Sequence, residues 1–364
     1  MQCRISVGYK GEKMGLNGLI EDAEQQHRPG ALPRLKVAVV GAGGAGCNSI
    51  DAMTRMDAEN LRFIAVNTDS LHMSSISADE KILIGKRLTK GRGAGGDPQI
   101  GEDSAVEAEN EIRDALTGYD IVFLTGGLGG GTGTGSLPVI AGIAKKNRAM
   151  VIAIVSTPFS YEGGARKERA AEGMERLLSI TDSTIVLDNN RLMEIAPDLP
   201  IDRAFMVMDT VISRVIKGIM DAITRPTIMN IDFSDFRNIM KMGGLSTVLY
   251  AENSDTVKLV SEAISSPFLD VDYSGARGAL INIVGGKRLN MRQISQISGS
   301  FTKQLDDKAN IAIGLGVDES LGSEIHLLAV LTGIPRNDMI IKNRPVPEIK
   351  MNEMPSERIA EMIR

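Results

Sequence analysis

One glycine-rich stretch, Thr125–Ser136, constrains the fold more than any other part of the sequence; it runs TGGLGGGTGTGS. It follows the apolar run Asp120–Leu124, which predicts a buried strand. It precedes Leu137–Lys146, whose apolar spacing predicts a helix with Pro138 in the first turn. Glycines at a helix start leave backbone N–H groups unshielded, and the helix dipole adds positive potential there. Because a flexible linker would not usually lie between a buried strand and a helix, the stretch predicts a phosphate-binding loop.

Two further glycine-rich segments follow predicted strands. Gly41–Gly46 follows the apolar strand Leu35–Val40, and Gly91–Pro98 lies between a strand at Ile82–Ile84 and a helix at Ala105–Leu116. The carboxyl ends of parallel strands meet at one edge of an open α/β sheet, where ligands bind. One polyphosphate nucleotide held from several sides would account for all three loops.

In chain order, the first loop is Gly41–Gly46, the second is Gly91–Pro98 and the third is Thr125–Ser136. The first loop also matches the G-x-G-x-x-G pattern of dinucleotide-binding folds, and Asp69 follows near the position of a ribose-binding acid. A Rossmann-type NAD-dependent oxidoreductase is therefore one alternative, although a dehydrogenase has no need of two phosphate-binding loops. The sequence contains no G-x-x-x-x-G-K-[ST], which excludes a Walker loop. It contains no G-x-S-x-G either, which disfavours a serine hydrolase.

Composition narrows the class of protein. The chain has 364 residues, 43% of them apolar, which is enough to fill the cores of two domains. The net charge is −5 with dispersed Lys and Arg, so no face is predicted to bind nucleic acid. The two cysteines, Cys3 and Cys47, suit a reducing cytoplasm, and no apolar run approaches the ~20 residues of a membrane span. The histidines share no ligand-like spacing, so no side-chain metal site is predicted.

The strand–loop–helix order continues and predicts right-handed crossovers in a doubly wound parallel sheet. Ile201–Thr224 is the longest helical stretch, and its wide apolar stripe predicts a helix buried between two domains. From Gly243 a second α/β unit begins, in which Ile311–Val317 and Ile325–Leu331 are expected to form a hairpin. We therefore expect an α/β fold, in which a doubly wound parallel-sheet domain is joined by a long central helix to a smaller α/β C-terminal domain. The predicted divisions are a flexible extension at 1–34, a nucleotide-binding domain at 35–200, the central helix at 201–225, a C-terminal domain at 226–335 and a short polar tail at 336–364.

A series of blocks resembles the tubulin/FtsZ family of GTPases, and in particular its prokaryotic cell-division branch. In chain order they are GAGGAGCN (Gly41–Asn48), NTD (Asn67–Asp69), GAGGDP (Gly93–Pro98), GGGTGTG (Gly129–Gly135), TPFSYEGGAR (Thr157–Arg166), NIDFSDFR (Asn230–Arg237), SSPFLDVDYSGARGALINIVGG (Ser265–Gly286) and DESLGSEI (Asp318–Ile325). One block could match by chance, but the whole series in order could not.

The resemblance implies GTP or GDP with Mg²⁺ as the bound nucleotide. It assigns phosphate contacts to Gly43, Gly44, Ala45, Gly46, Cys47 and Asn48 in the first loop, to Ala94, Gly95 and Gly96 over the γ end, and to Gly129, Gly130, Gly131, Thr132, Gly133, Thr134 and Gly135. Because this last loop borders the core without filling it, we expect a bulky residue at Thr134 or Gly133 to abolish binding while leaving the fold intact.

Five more positions match nucleotide-contacting residues of the family. Glu162 and Arg166 would lie at the ribose and phosphates, Asn189 would contact guanine, and Phe205 and Asp209 would stack on it and hydrogen-bond it. A carboxylate can accept from both N1–H and N2–H₂ of guanine, which adenine cannot offer. The structural alternatives are a core position for Phe205 and a helix N-terminal charge for Glu162.

The catalytic candidates Asn230, Asp232 and Asp235 follow the long helix. If its first turns lie near the nucleotide, a rise of ~1.5 Å per residue carries the chain ~35 Å to the opposite side. These residues would then be out of reach of their own subunit's nucleotide, and helix capping is the alternative role for one of the acids. A second subunit stacked head to tail would bring them to the γ-phosphate, where they would polarise the attacking water.

The resemblance therefore implies a GTPase that polymerises with itself and forms the cytokinetic ring, in the cytoplasm at mid-cell. Membrane-adaptor and division proteins are the further expected partners, without nucleic acid or direct membrane insertion. A tubulin-like cell-shape GTPase would share most of the nucleotide motifs and stays an alternative.

Overall fold

The computed structural model describes residues 35–55, 61–195, 197–224, 228–265 and 272–335. These residues belong to one unit that begins at Arg34. The predicted N-terminal extension at 1–34 and the polar tail at 336–364 lie outside the described residues.

Apolar runs bounded by glycine-rich or polar turns form strands throughout the chain. They are β1 Val37–Ala42, β2 Leu61–Asn67, β3 Glu80–Leu83, β4 Ile121–Gly127, β5 Met150–Thr157, β6 Ser183–Asp188, β7 Leu245–Asn253, β8 Gly278–Gly285, β9 Asn310–Val317 and β10 Ile325–Ile334. They form one sheet in the order β3-β2-β1-β4-β5-β6-β7-β10-β8-β9. Neighbouring strands from β3 to β7 are parallel, β10 is antiparallel to β7 and β8, and β9 is parallel to β8. The expected α/β fold with a mostly parallel sheet is confirmed.

The α-helices connect these strands. They are α1 Gly43–Met53, α2 Ser70–Ser75, α3 Pro98–Glu107, α4 Glu109–Ala115, α5 Thr132–Lys146, α6 Gly164–Ile180, α7 Asn189–Ile195, α8 Ile201–Thr224, α9 Phe233–Met240, α10 Thr256–Ile264 and α11 Met291–Thr302. None of the helices in the described ranges has the length and apolarity that a membrane crossing requires.

Both faces of the parallel part of the sheet are buried. Successive residues of a strand point to opposite faces, and in β1 they join different cores. Val37 and Val39 pack with α1 and α8, whereas Ala38 and Val40 pack on the other side with α5 residues such as Leu137. The sheet is therefore the middle layer of three, as expected for parallel strands with apolar runs.

The long helix α8 spans Ile201–Thr224, as the sequence predicted. Its apolar stripe packs in the same core as Val39 of β1, Val248 of β7 and Leu328 of β10. At Gly218 an added Cβ would lie 3.0 Å from Leu328, so helix and strand approach closely there. The helix therefore contacts both the N-terminal and the C-terminal strands. The division of the chain into domains stays a prediction, since β6 and β7 pair directly within one sheet.

The expected hairpin between β9 and β10 is wrong. The two strands are separated by β8, which pairs in parallel with β9 and antiparallel with β10. Nearly every residue of β10 is buried, whereas most of β9 is exposed or half-buried. Burial therefore places β10 inside the sheet and β9 at its edge, although the turn between them has a sequence typical of a hairpin.

Two helix predictions also need correction. The third glycine loop is followed by a helix that already begins at Thr132, because the Gly135 N–H donates to the Gly131 carbonyl at 3.0 Å. Pro138 is therefore inside α5 and not in its first turn. The helix expected at Ala105–Leu116 is two helices, α3 and α4, separated at Ala108, whose φ and ψ of −99° and 14° are not helical.

Candidate functional site

The three glycine-rich loops meet at one edge of the sheet, which we call the glycine edge. The first loop follows β1 and the third follows β4, and these strands are parallel neighbours. A Cβ added to Gly43 would lie 2.9 Å from the Gly133 nitrogen, which joins the first loop to the third. A Cβ added to Gly131 would lie 2.8 Å from the Ala94 Cβ, which joins the third loop to the second. The predicted convergence of the loops is therefore present.

Some glycines of the third loop are required by packing within the protein itself. A Cβ at Gly133 would lie 2.8 Å from the Gly127 carbonyl oxygen, and one at Gly135 would lie 1.9 Å from that of Pro98. Backbone atoms at such distances must move to admit a side chain. The expectation that a bulky residue at Gly133 leaves the fold intact is therefore wrong.

Other glycines face open space. An added Cβ at Gly44, Gly95 or Gly130 would meet no other atom within 4 Å. Gly44 and Gly95 are exposed and Gly130 is half-buried, and these three come from the three different loops. A group bound at the glycine edge could approach the backbone at these positions without displacing protein atoms. The arrangement fits a phosphate group surrounded by backbone N–H donors.

Hydrogen bonds fix the loops relative to one another. The hydroxyls of Thr68, after β2, and Thr132, at the start of α5, are 2.6 Å apart. The Thr68 carbonyl accepts from the Gly93 N–H at 3.1 Å, and Thr134 Oγ1 accepts from the Gly129 N–H at 2.8 Å. These hydrogen bonds hold the loop segments in one arrangement, and such preorganisation lowers the entropic cost of binding.

The turn before α6 and its first turns border the third loop. Glu162 Oε2 pairs with Arg166 Nη1 at 2.6 Å, and its other oxygen accepts from the Phe159 N–H at 2.8 Å. A Cβ at Gly129 would lie 2.6 Å from the Arg166 carbonyl oxygen, so the two segments are in close contact. Glu162 thus holds the guanidinium of Arg166 near the glycine edge.

Asp209 of α8 lies against α1. Its Oδ1 accepts a hydrogen bond of 2.5 Å from the Ser49 hydroxyl, which is next to Asn48 in the chain. Burial raises the pKa of Asp209 to about 6; the hydrogen bond from Ser49 opposes this shift, and the charge of Asp51 adds to it. At neutral pH the group is therefore mainly a carboxylate, which is an acceptor for two donors on one ligand.

Two more predicted contact residues have features that suit a ligand. Asn189 is 7% exposed, and within the described residues its buried Oδ1 accepts no hydrogen bond. Phe205 is 47% exposed, and its ring meets that of Phe159 edge to face with centroids 5.9 Å apart. An unpaired buried oxygen is costly unless a ligand satisfies it. The core alternative for Phe205 is excluded by its exposure.

Cys47 is different from its neighbours in the first loop. Its side chain is fully buried in the core beneath α1, with the sulfur 3.6 Å from the Val66 carbonyl oxygen. Burial raises the pKa of the thiol to about 12, so the sulfur stays protonated. Only the backbone of Cys47 could contact a ligand at the glycine edge.

The segment Met229–Phe236, here called the acidic segment, contains the predicted catalytic residues. Asn230, Asp232 and Asp235 are all exposed. Asp232 caps α9, since its Oδ1 accepts from the Ser234 N–H at 2.8 Å. The capping alternative therefore holds for Asp232 in the folded subunit, and a helix N-terminus bearing two acids remains open to solvent.

The acidic segment lies at the amino edge of the parallel strands. Phe233 and Arg237 line a groove together with Tyr119 and Arg148. Tyr119 lies two residues before β4 and Arg148 two residues before β5, so the groove marks the edge opposite the glycine edge. The structure therefore brings the nucleotide-binding candidates together and keeps Asn230, Asp232 and Asp235 away from them.

Sequence reasoning missed two residues of this site. Ser49 pairs with Asp209, and His72 Nε2 lies 2.9 Å from Asn48 Oδ1. Ser49 directly follows the GAGGAGCN block, and His72 lies three residues after the NTD block. Closeness in the chain to these motifs was therefore the sequence feature that could have indicated both residues. Asp69, the ribose-binding acid of the dinucleotide alternative, instead caps α2 by accepting the N–H groups of Leu71 and His72.

A group with metal-ligand spacing lies away from the glycine edge. Within the described ranges, ligand atoms of Glu252, Glu324 and His326 all lie within 4.8 Å of one another. Glu252 is in β7, and Glu324 and His326 lie on either side of the first residue of β10. In the sheet, β7 is three strands from β4. Sequence spacing did not reveal this group, because strand pairing brings distant residues together.

Comparison with known proteins gives consistent matches over nearly all of the described chain. Residues 36–197 match the model of the Tubulin/FtsZ family GTPase domain, and residues 239–335 match that of the FtsZ family C-terminal domain. Cell division protein FtsZ 1 of Thermococcus kodakarensis is 46% identical over 302 residues, which is 82% of this chain and 81% of the relative.

Solved structures resemble the chain at two levels of sequence identity. An FtsZ dimer from M. jannaschii, described as empty, aligns with a TM-score of 0.76 at 41% identity, and the match covers 87% of this chain and 92% of that one. CetZ2 from Haloferax volcanii, a GTPγS-bound protofilament, aligns with a TM-score of 0.73 at 22% identity, covering 83% and 94%. The second likeness concerns the fold alone.

Proposed function

The chain belongs to the FtsZ family of tubulin-like GTPases, and from that membership we propose how it acts. It is a GTP-hydrolysing, filament-forming protein of cell division. The observation that carries the proposal is the separation of the glycine edge from the acidic segment at opposite edges of the sheet. An identity of 46% to a relative named for cell division favours this role over the cell-shape alternative.

The glycine edge is the proposed guanine-nucleotide site. The backbone at Gly44, Gly95 and Gly130 is open to phosphate oxygens, and the neighbouring loop positions predicted from the sequence complete this part of the site. The Asp209 carboxylate would accept from guanine N1–H and N2–H₂, and the unpaired Asn189 Oδ1 would accept a further donor. Phe205 offers an exposed ring for stacking.

Hydrolysis is proposed to take place between two subunits. The protein associates with itself, and a head-to-tail contact would join the glycine edge of one subunit to the acidic segment of the next. Asn230, Asp232 and Asp235 would then orient and polarise the attacking water at the γ-phosphate. Ile228 and Met229 are 59% and 51% exposed, and apolar side chains beside the acids suit a surface covered by another subunit.

Mg²⁺ is the proposed metal cofactor, bound together with GTP; it would neutralise phosphate charge. Asp69 and Asp97 are near the loops, but both act as helix caps. The metal would therefore depend mainly on phosphate oxygens and water, as Mg²⁺ commonly does in nucleotide sites.

The remaining proposals concern the cell and the domains. As a member of this family the protein acts at the division ring, and we propose that it does so from the cytoplasm at mid-cell. Membrane-adaptor and other division proteins are proposed partners. We also propose that residues 35–200 and 226–335 are separate domains joined by α8, since the two family models match segments on either side of that helix.

Assembly provides a direct test of the proposed function. Adding GTP and Mg²⁺ to the protein is expected to increase light scattering, because nucleotide at the glycine edge completes the surface for the next subunit. GDP and Mg²⁺ serve as the control and should give little or no increase. Scattering that rises equally with either nucleotide, or with neither, would contradict nucleotide-dependent assembly.

The ionisation of Asp209 predicts a pH dependence of GDP affinity. Guanine recognition uses the carboxylate, so affinity should be complete well above the pKa of about 6 and fall below it, by up to about tenfold per pH unit. Asp209→Asn should bind GDP several-fold more weakly at pH 7.5 and should lose this part of the pH dependence. Calorimetric titration from pH 5 to pH 8 measures both. The variant controls for the titration of the phosphate of GDP itself, and parallel curves for the two proteins would exclude Asp209.

A further inference from the structure

The orientation of the Asn67 side chain is fixed by the backbone. Asn67 is the last residue of β2 and is 3% exposed. Its Oδ1 accepts hydrogen bonds from the N–H groups of Thr68 at 2.9 Å and Asp69 at 3.3 Å. An amide nitrogen cannot accept a hydrogen bond, so the side chain cannot be turned around without losing both. The amide nitrogen of Asn67 must therefore face the opposite way.

That nitrogen faces His72. Asn67 Nδ2 lies 3.2 Å from His72 Nδ1, and because Nδ2 can only donate, Nδ1 must be the acceptor. A neutral imidazole that accepts at Nδ1 carries its proton on Nε2. The cap by Asp69 fixes the backbone from which the ring extends, since the His72 backbone N–H donates to Asp69 Oδ1 at 3.1 Å.

The protonated Nε2 in turn determines the orientation of Asn48. It lies 2.9 Å from Asn48 Oδ1, so the Asn48 oxygen accepts and its amide nitrogen faces away from His72. Asn48 is exposed in the first turns of α1, immediately after the first glycine loop. Its Nδ2 makes no side-chain hydrogen bond with the residues that the structure describes. Two N–H donors are thus available to a ligand at the glycine edge.

We propose that His72 is a positioning residue of the nucleotide site, which acts only through Asn48. The series Asn67 to His72 to Asn48 transmits a fixed donor direction to the ligand from the backbone of Thr68 and Asp69, just after β2. Asn48 then presents N–H groups, and not its oxygen, to an acceptor oxygen of the bound nucleotide. This inference rests on the proposed function, because it assumes that a guanine nucleotide occupies the glycine edge.

Two neutral substitutions of similar size separate the hydrogen bonds of His72 from its shape. In His72→Gln the amide oxygen can accept from Asn67 and the amide nitrogen can donate to Asn48. In His72→Met neither bond exists, and both residues are good helix formers. GDP affinity, measured by calorimetric titration with Mg²⁺ present, should fall about tenfold in His72→Met and stay within about twofold in His72→Gln. Unchanged affinity in His72→Met, or equal loss in both, would overturn the proposal.

A double-mutant cycle tests whether His72 acts through Asn48. In the Asn48→Ala background, His72→Met should cause no further loss of GDP affinity, because the group that it orients is absent. Losses that add in the double variant would mean that His72 affects the site in another way and would refute the positioning role.

The tautomer can be measured in the unsubstituted protein, with a variant needed only to assign the signal. In the full-length protein, long-range ¹H–¹⁵N spectra should show the ring proton of His72 on Nε2, and the missing signals of His72→Gln assign it. A proton on Nδ1 would overturn the inference whatever the variants do. If the unsubstituted protein did not bind GDP, the proposed function itself would fail. If it bound GDP and substitution of His72 did not change the affinity, only the positioning role of His72 would be rejected.

Discussion

Replacing Asp232 with asparagine is expected to lower GTP turnover by about two orders of magnitude or more, with GTP affinity nearly unchanged. The acid lies at the edge of the sheet opposite the nucleotide-binding candidates, so it should not affect binding. Its loss should remove a water-polarising group from every contact between subunits. Asparagine is as good an N-cap as aspartate, so α9 should remain intact. Phosphate release and calorimetric titration measure the two effects, and filaments of the variant should persist longer.

A matched control is Asp255→Asn. Asp255 is also an exposed helix cap, whose Oδ1 accepts from the N–H groups of Val257 and Lys258 at 2.8 and 3.0 Å. It should keep its turnover, which would separate the catalytic role from the removal of one capping charge. Equal loss of activity in both variants would contradict the assignment of Asp232.

Turnover per subunit in the unsubstituted protein should also rise with concentration, and a constant value down to levels without polymer would refute hydrolysis between subunits.

The second large effect is expected from Gly44→Val, which should reduce GDP affinity at least tenfold without unfolding the protein. A Cβ at this position meets no protein atom within 4 Å, and the φ of Gly44 is not in the left-handed region. The added side chain would occupy space assigned to phosphate oxygens, which need close access to the backbone. Calorimetric titration with GDP gives the affinity, and thermal unfolding without nucleotide verifies the fold.

Gly299→Val is the control for this substitution. Gly299 is likewise in a helix with no atom within 4 Å of an added Cβ, but it belongs to α11 of the C-terminal part. It should bind GDP like the unsubstituted protein. If Gly44→Val also kept full affinity, the phosphates would not lie at the first loop.

Mixing Gly44→Val with Asp232→Asn should restore some phosphate release, because one variant retains the acids and the other retains the nucleotide site.

The strands and most helices could be predicted because hydrophobic periodicity is a local property. The full span of α8 followed from its apolar stripe, and the three glycine loops followed from their places after apolar strands. The hairpin between β9 and β10 failed because strand pairing is not local. Turn residues predicted neighbours, whereas the burial of β10 placed β8 between them.

The same distinction between local and non-local properties applies to the candidate site. The sequence by itself determined which residues could contact phosphate and guanine, because glycines and single carboxylates have limited chemical roles. It also predicted, from the length of α8, that Asp232 lies far from the nucleotide of its own subunit.

Only the tertiary structure decided how these residues are oriented. It turned the Cys47 side chain into the core, set Ser49 against Asp209, and linked His72 to Asn48. It also distinguished Gly44, where an added Cβ would face open space, from Gly133, where an added Cβ would touch backbone atoms. The physical reason is that side-chain direction, burial and hydrogen-bond partners depend on segments that are distant in the chain and meet only when the sheet has formed.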